Sequence, residues 1–461
     1  MSAPMMPLTN YALQVPDSAR RELARAWLWL GLLALIGSGV FSVLLVLSRT
    51  PFLQNLFPVA DFFHVALVVH VDLSVLVWFI AIAGMLWSIN SATRAMAWGW
   101  LALGGCALGA ALMSLAPFFG RGEAIMANYI PVLDNPIFLS GLIVFGAGFA
   151  ALVLRSLFLA PVLGLSFDGS GALRFGLNAA AVSAAVAILA FAWSYAAVPI
   201  SLGGKAYYEI LFWGGGHALQ FTWTLLMLVA WIWLISACGA HVPLSPRVAL
   251  LMFLLALVCV FVTPYAYLAY DVTSVEHRNL LTWAMRFGGG LAILPMSLAV
   301  LVALRPDTGM REDAQPLRMA LISSVVLFAV GGVIGIFISG SNVRIPAHYH
   351  GSIVGVTLAL MGLVYHLLPQ LGFAAPIGRL ATWQPVLYGA GQLMHITGLV
   401  WSGGYGVQRK VAGAGQVLRN SGEIAGMGLM GLGGLIAIIG GLLFVVVVIR
   451  AVRDGKKVTA Q

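Results

Sequence analysis

Two histidines separated by a single residue lie at the start of an apolar segment, in VRIPAHYHGSIVG. Residues two apart on a helix point about 200° away from each other. His348 and His350 therefore cannot bind one metal ion from one helix face, but they can bind two different irons on opposite sides of the helix. The simpler alternative is a pair of histidines hydrogen-bonded at a helix mouth. Imidazole is the commonest neutral nitrogen ligand of haem and metal ions.

Further histidines lie in separate apolar segments at a similar expected depth. His70 ends HVALVVH, His217 follows three glycines in WGGGHALQ, His277 begins HRNLLTW, and His395 lies in GQLMHITG. Ionisable side chains inside a membrane are costly and usually mark function. Several helices that bring imidazole to one level favour a haem or metal site over isolated hydrogen-bonded histidines.

The composition indicates that lipid surrounds the segments that carry these histidines. The chain has 461 residues, of which 61% are hydrophobic and 8% charged, with a mean hydropathy of +0.99. A soluble protein would carry about 25% charged residues. Without that many charged residues on its surface, so large an apolar core would not stay in solution.

Stretches of about 20 mostly apolar residues can span a bilayer. The candidates are 26–48, 62–90, 95–117, 136–158, 174–200, 207–239, 248–270, 277–304, 317–340, 344–370, 381–405 and 422–452. The boundary between the seventh and the eighth is the weakest, because only DVTSVEHR separates them. We predict an all-α polytopic membrane bundle of about twelve transmembrane helices. Residues 1–25 would be a cytoplasmic N-terminal segment, 26–452 one haem-binding membrane domain, and 453–461 a cytoplasmic tail.

The net charge of +9 does not indicate a nucleic-acid partner. Lysine and arginine lie between the apolar segments rather than in a stripe, as topology signals do. Their distribution predicts that both termini are cytoplasmic. We expect the protein in the inner (plasma) membrane. The polar start of the chain argues against a cleaved signal peptide. Cys106, Cys238 and Cys259 have no CxxC spacing, so they form neither a disulfide framework nor a thiolate metal site.

Together these motifs resemble the catalytic subunit (subunit I) of the haem–copper oxidase superfamily, which includes cytochrome oxidases and nitric oxide reductases. The resemblance covers nearly the whole chain and is best in AHYHGSIVGVTLALMGLVYHLLPQLG. It implies that His348 ligates a high-spin haem, and that His70 and His350 ligate a low-spin haem. It also implies that His217 ligates a non-haem metal.

A basic pair between the last two segments extends the resemblance. GGYGVQRKVAG is similar to the loop whose basic residues bind haem propionates in the superfamily. Arg409 and Lys410 would then make charge-assisted bonds to the carboxylates. The alternative is a solvated pair of loop charges.

The chain departs from the superfamily at the non-haem metal. The superfamily normally supplies two further ligands as adjacent histidines, and this chain has no HH pair; the corresponding residues are TPYAYL. His277 is the nearest histidine, either as a displaced ligand or as a helix cap. The site would hold copper or iron with an unusual ligand set, or be empty. Further candidate ligands are Tyr265, Tyr267, Asp271 and Glu276, of which the carboxylates would suit iron better than copper.

A second departure concerns the residue four after His217. Typical oxidases have a tyrosine there and familiar nitric oxide reductases a glutamate, whereas this chain has Phe221. Gln220 and Glu209 are the nearby polar groups, and Glu209 would be a proton-entry carboxylate or an interfacial residue. C-type oxidases take their tyrosine from the next segment, so Tyr265, Tyr267 and Tyr270 keep oxygen reduction open.

Few polar residues cross the predicted inner half of the bundle, among them His366 and Gln392, which indicates little or no proton pumping.

The resemblance predicts a terminal reductase with catalytic residues His348, His217, Glu209, Gln220 and Tyr267. Reduction of nitric oxide to nitrous oxide is favoured over reduction of oxygen by a cytochrome c or quinol oxidase. A multipass transporter or haem-sensing protein is the alternative from another class.

The partners follow from motifs that the sequence lacks. The chain has no CxxCH for covalent haem and no cysteine and histidine set for a dinuclear copper centre. Electrons would therefore come from a small donor subunit, a cytochrome c or a quinol. The substrate would be a gas that enters through the lipid bilayer.

Overall fold

Long apolar helices form most of the chain. The computed structural model describes residues 11–15, 18–47, 62–120, 122–161, 167–305, 310–338, 342–405 and 420–458. Within these ranges, twelve long helical segments follow the order of the predicted spans. Eleven of them are long and apolar enough to cross a membrane. The predicted all-α polytopic architecture is confirmed.

The helix bounds agree with the predicted spans to within a few residues at most ends. The first helices are α1 (Ser18–Leu47), α2 (Phe62–Val71), α3 (Trp78–Asn90), α4 (Met96–Leu115), α5 (Pro136–Phe158), α6 (Gly169–Ala197), α7 (Gly204–Ala237) and α8 (Pro246–Val260). They are followed by α9 (Val262–Ala269), α10 (Val275–Gly288), α11 (Gly290–Ala303), α12 (Gln315–Ile336), α13 (Arg344–Leu367), α14 (Arg379–Gly404) and α15 (Ser421–Val458). The pairs α2–α3, α8–α9 and α10–α11 each form one long segment.

A short antiparallel hairpin lies between α4 and α5. Its strands are β1 (Glu123–Ile125) and β2 (Val132–Asp134), with Ala124 opposite Leu133. The next helix starts directly after it, because the Asn135 side chain accepts hydrogen bonds from the N–H groups of Ile137 and Phe138. Such side-chain caps satisfy the free N–H groups of a first turn. α5 therefore starts directly after the last residue of the cap, at Pro136.

The weakest predicted boundary is also set by a cap. α9 ends at Ala269 and α10 begins at Val275, with the Ser274 hydroxyl accepting from the N–H of His277. At the chain ends the helices are longer than predicted. α1 begins at Ser18 and α15 continues to Val458, so parts of the predicted terminal segments 1–25 and 453–461 are helical.

The described residues fall into two compact units, where the sequence predicted one domain without a visible boundary. Unit 1 comprises the described parts of Met1–Leu45 and Pro58–Met310, and unit 2 those of Val46–Phe57 and Arg311–Gln461. Unit 1 has α7 and α3 among its most buried helices. In unit 2, α12 packs on α13 and α14 on α15, around a core that includes Leu327, Leu358 and Ile396.

One π-helical turn, Asp72–Val77, joins α2 to α3. It begins two residues after His70, and π-helical turns inside α-helices are frequent at functional sites. Val71 and Trp78 on either side have right-handed helical backbone angles, so the segment stays continuous. The Asp72 side chain is only 1% exposed, and its Oδ2 has no hydrogen-bond partner among the described residues. An unusual backbone and a buried carboxyl thus lie directly beside a predicted haem ligand.

Candidate haem and metal site

Four imidazoles share one hydrogen-bond arrangement, in which Nδ1 lies close to a backbone carbonyl. The pairs are His70 with Ser38 at 2.9 Å, His217 with Trp213 at 2.8 Å, His348 with Gly331 at 2.7 Å and His395 with Met430 at 2.9 Å. A carbonyl oxygen only accepts, so Nδ1 must carry the proton and the ring lone pair lies on Nε2. Metal-ligating histidines are usually held in this way.

The two histidines of the HxH motif contact different helices. His348 donates to the Gly331 carbonyl of α12. The His350 ring lies 4.6 Å from the ring of His395 on α14, measured between centroids. The helical spacing predicted this divergence. His395 was noted only for its depth in the sequence, and its contact with His350 could not be predicted because the two residues lie on different helices.

The bond to His348 depends on a close approach of α12 and α13. A Cβ atom on Gly351 would lie 2.6 Å from the Cα of Gly331, and one on Gly331 would lie 2.5 Å from the backbone nitrogen of Ser352. Small residues permit such approaches between membrane helices. Glycine at both positions therefore lets the Gly331 carbonyl reach the imidazole.

Three consecutive glycines precede His217 and make room for aromatic rings. A Cβ atom on Gly214 would overlap Tyr267, one on Gly215 would overlap Phe191, and one on Gly216 would overlap Tyr129. α7 remains continuous through all three glycines. They therefore do not break the helix in the way expected of a transporter helix. Instead, they leave the space in which aromatic side chains pack beside His217.

Tyr129 was not among the residues singled out in the sequence. It lies in the loop between β1 and β2, and its hydroxyl is 3.0 Å from Nδ1 and 3.1 Å from Nε2 of His217. Because the two distances are nearly equal, the hydroxyl lies over the imidazole ring and off the line of the Nε2 lone pair. The usable signal was the length of the connection from Phe118 to Pro136, since long connections are often functional.

The same loop is bonded to a second predicted site residue. Asn128 donates from Nδ2 to Oε2 of Glu209 at 2.6 Å. Glu209 is half-buried on α7, eight residues before His217. Two adjacent loop residues are thus held on α7 about two helical turns apart. Gln220 lies three residues after His217 on the same helix and is also half-buried.

His277 and Tyr267 lie together, and Tyr267 packs against α7 at Gly214. Their ring centroids are 4.6 Å apart, edge to face, and the Tyr267 hydroxyl is 2.6 Å from the hydroxyl of Ser194. The His277 side chain is 1% exposed, and its Nε2 has no hydrogen-bond partner within the described ranges. A buried polar atom in this state normally has a partner. A metal ion at Nε2 would supply one.

The other candidate ligands are exposed side chains. Tyr265 is 58% exposed, and Asp271 and Glu276 are exposed. Asp271 accepts from the hydroxyl and the N–H of Thr273, which lowers the pKa of its carboxyl. No group of three or more histidine, cysteine, aspartate or glutamate side chains that could hold a metal occurs in the described part of the chain. Arg409 and Lys410 lie outside that part.

A family model for cytochrome c and quinol oxidase polypeptide I matches residues 22–443. The chain belongs to this family. An uncharacterized protein of Rickettsia prowazekii (strain Madrid E) is 28% identical over 93% of this chain and 95% of its own length. Another uncharacterized protein, from Aquifex aeolicus (strain VF5), is 29% identical over 78% of this chain and 88% of its own.

A solved structure shows the same fold. A haem–copper terminal oxidase dimer, determined by cryo-EM, superposes with a TM-score of 0.73 at 17% identity, covering 95% of this chain and 84% of that one. The chain is a multi-pass membrane protein, and its family implies an oxidoreductase of the haem–copper type. Its family carries haems with a copper or other metal site, and takes electrons from cytochrome c or quinol.

Proposed function

We propose that this protein is the catalytic subunit of a membrane terminal reductase that reduces nitric oxide to nitrous oxide. One observation supports the proposal: imidazoles on four separate helices have Nδ1 bonded to a backbone carbonyl, which leaves the lone pair on Nε2, the nitrogen that would bind a metal. When bound, the haems and the second metal supply electron transfer and the binding of the gas. The residues of the chain supply ligation, orientation and protons.

The proposed haem ligands divide by motif. His70 and His350 ligate the low-spin haem, and His348 ligates the high-spin haem. Ser38 orients His70 twice, because its carbonyl accepts from Nδ1 at 2.9 Å and its hydroxyl lies 3.0 Å from the same atom. Gly331 orients His348. Arg409 and Lys410 are proposed to bind the haem propionates.

The second metal is proposed to lie beside His217 and His277. The two histidines are linked through the Trp213 side chain and backbone. The Trp213 carbonyl accepts from His217, and its indole N–H donates to the carbonyl of Arg278 at 3.4 Å, next to His277. Both imidazoles are nearly fully buried, so they would shield a metal bound there from water. Gln220, on the same helix, is proposed to face the reacting gas.

Protons are proposed to enter through Glu209. This half-buried carboxylate is held at the loop by Asn128, and it lies on the helix that carries His217. A route of this kind consumes protons without pumping them, in keeping with the scarcity of inner polar residues. The inner membrane and cytoplasmic termini belong to the same proposal, as does a small donor subunit or cytochrome c as the electron donor.

Oxygen reduction is the second candidate, and Tyr267 favours it. This phenol is 7% exposed, lies against the ring of His277, and shares a hydrogen bond with Ser194. A buried tyrosine close to the second metal could donate an electron and a proton to oxygen.

Spectroscopy with turnover tests both candidates. We expect two b-type haems in the reduced-minus-oxidised spectrum, one of which binds carbon monoxide. Purified protein should consume nitric oxide faster than oxygen; the reverse order would favour the oxidase. Absence of haem would refute the proposed function. His217→Ala should lose non-haem metal and turnover while keeping both haems, and full retention of metal and activity would remove His217 from the site.

A further inference from the structure

We propose that His395 is a positioning residue, which fixes the plane of the His350 imidazole and thereby the orientation of that ligand on the low-spin haem. The inference rests on the proposed function, in which His70 and His350 are the two axial ligands. His395 has the same Nδ1 bond to a backbone carbonyl as the proposed ligands, yet the proposed function leaves it without a role. An iron in a porphyrin has two axial positions, so a third imidazole at this haem has to act in another way.

The two rings are in direct contact. Their centroids are 4.6 Å apart and their planes are inclined at 57°. The terminal torsion angle of histidine is broad, so the backbone of α13 alone does not fix the plane of the His350 ring. A neighbouring ring this close does, because turning the His350 ring would drive its edge into His395.

His395 is in turn held by α15. Its Nδ1 donates to the Met430 carbonyl at 2.9 Å. A backbone carbonyl has two lone pairs, so Met430 can accept this bond while it also accepts within its own helix. Gly434 leaves room for the ring, since a Cβ atom there would lie 3.3 Å from Nδ1. A hydrogen bond along one edge thus sets the plane of the His395 ring.

This bond depends on a close approach of α14 and α15. A Cβ atom on Gly433 would lie 2.3 Å from the backbone nitrogen of His395, and one on Gly398 would lie 2.4 Å from that of Met430. Small residues permit such approaches between membrane helices. The contacts therefore run from the backbone of α15 through His395 to His350, all within unit 2.

A fixed plane matters for a haem with two imidazole ligands. The electronic structure of the ferric iron depends on the angle between the two ligand planes, and groups beyond the ligands are a means of setting it. His70 has its own support, the Ser38 carbonyl 2.9 Å from Nδ1. With His395 in place, the His350 plane has one orientation as well. Without it, that plane would take a range of orientations.

The test measures the orientation of the ligand rather than turnover. Full-length protein is purified in detergent and oxidised, and the g values of its low-spin ferric haem are recorded by low-temperature electron paramagnetic resonance. His395→Ala should shift the largest g value by more than the width of its signal and broaden it, with the haem content unchanged. His395→Phe keeps a ring against His350 and should move the g value back toward that of the wild type.

A second pair of variants leaves His395 itself in place. Gly434→Ala brings a Cβ atom to 3.3 Å from Nδ1, so the imidazole has to move by a few tenths of an ångström. A smaller shift of the g value should result. Gly431→Ala is the matched control, because a Cβ atom at this position of the same helix meets nothing within 4 Å. Its spectrum should equal that of the wild type.

Three results would overturn the inference. The first is an unchanged g value in His395→Ala or, should that variant not fold, identical spectra of Gly434→Ala and Gly431→Ala. The second is a shift that His395→Phe shares in full, since the ring contact would then be irrelevant. The third is loss of the low-spin haem from both His395 variants with the carbon monoxide-binding haem retained, which would make His395 a ligand. Wild-type protein without a low-spin haem would instead contradict the proposed function.

Discussion

Substituting Gly351 with alanine should disconnect His348 from its carbonyl acceptor. The new Cβ atom would lie 2.6 Å from the Cα of Gly331, whereas ordinary contact begins at 3.4 Å. α12 and α13 must therefore separate by about 0.8 Å or more, since close-packed helices cannot absorb the overlap. The His348 bond then lengthens from 2.7 Å to about 3.5 Å, a length at which little of it remains.

Two effects should follow from Gly351→Ala. Overpacking costs about 1–3 kcal/mol, so the thermal midpoint of the purified protein should fall. Loss of the group that orients a metal ligand typically weakens binding by about 10–100-fold. The high-spin haem should therefore be depleted, and the carbon monoxide difference spectrum should shrink by at least about tenfold at limiting haem. The low-spin haem signal should persist.

Gly332→Ala is the control for this prediction. Gly332 follows Gly331 on the same helix, and a Cβ atom there meets nothing within 4 Å. It should leave the carbon monoxide spectrum unchanged. If Gly351→Ala and Gly332→Ala gave the same spectrum and the same midpoint, the close approach would not be what orients His348, and the reasoning would be refuted.

Three further predictions concern other parts of the chain. His350→Ala should abolish the low-spin haem signal while His64→Ala preserves it; low-temperature electron paramagnetic resonance checks both, and a surviving signal in His350→Ala would move the ligand elsewhere. Glu209→Gln keeps an oxygen acceptor for the loop and should lower turnover with metal and haem content unchanged; equal turnover would exclude proton entry there. Hydrogen bonds from Thr273 lower the pKa of Asp271 below its ordinary value of 3.8, so the stability they give is present above that value and lost as the pH falls through the lowered pKa. The difference in thermal midpoint between wild type and Thr273→Ala should therefore be largest near neutral pH and vanish in acid, and a constant difference would contradict this origin.

Hydropathy alone predicted the helices, because in lipid every spanning segment must satisfy its own backbone. Even the break between the seventh and eighth spans was located, since a polar run with a serine cap cannot continue a helix. The π-helical turn after His70 was not predicted. It adds one residue to a turn of an otherwise uniform apolar helix. Apolar composition does not show where in a helix such an extra residue lies.

The site was predictable where its residues share one helix. The HxH spacing fixes which way His348 and His350 point, so their contacts with different helices followed from geometry. Tyr129 was missed because it is 88 residues from His217 in the chain and lies in a hairpin loop. Only tertiary packing brings the two together. The glycines before His217 were noted, but the aromatic rings above them cannot be inferred from spacing.

The π-helical turn constrains how this chain can change in length. Each residue of an α-helix advances the side-chain direction by about 100°, and a π turn accommodates a single extra residue within that rotation. Deleting one residue from Asp72–Val77 would let the turn relax into regular helix. The half that bears His70 would keep its direction relative to the half that follows, because the turn had absorbed the extra residue. A single deletion within α2 or α3 meets no such turn and would rotate the residues before it by about 100° relative to those after it. The π-helical turn is thus the place in this segment where the chain can lose a residue and still aim the imidazole as before.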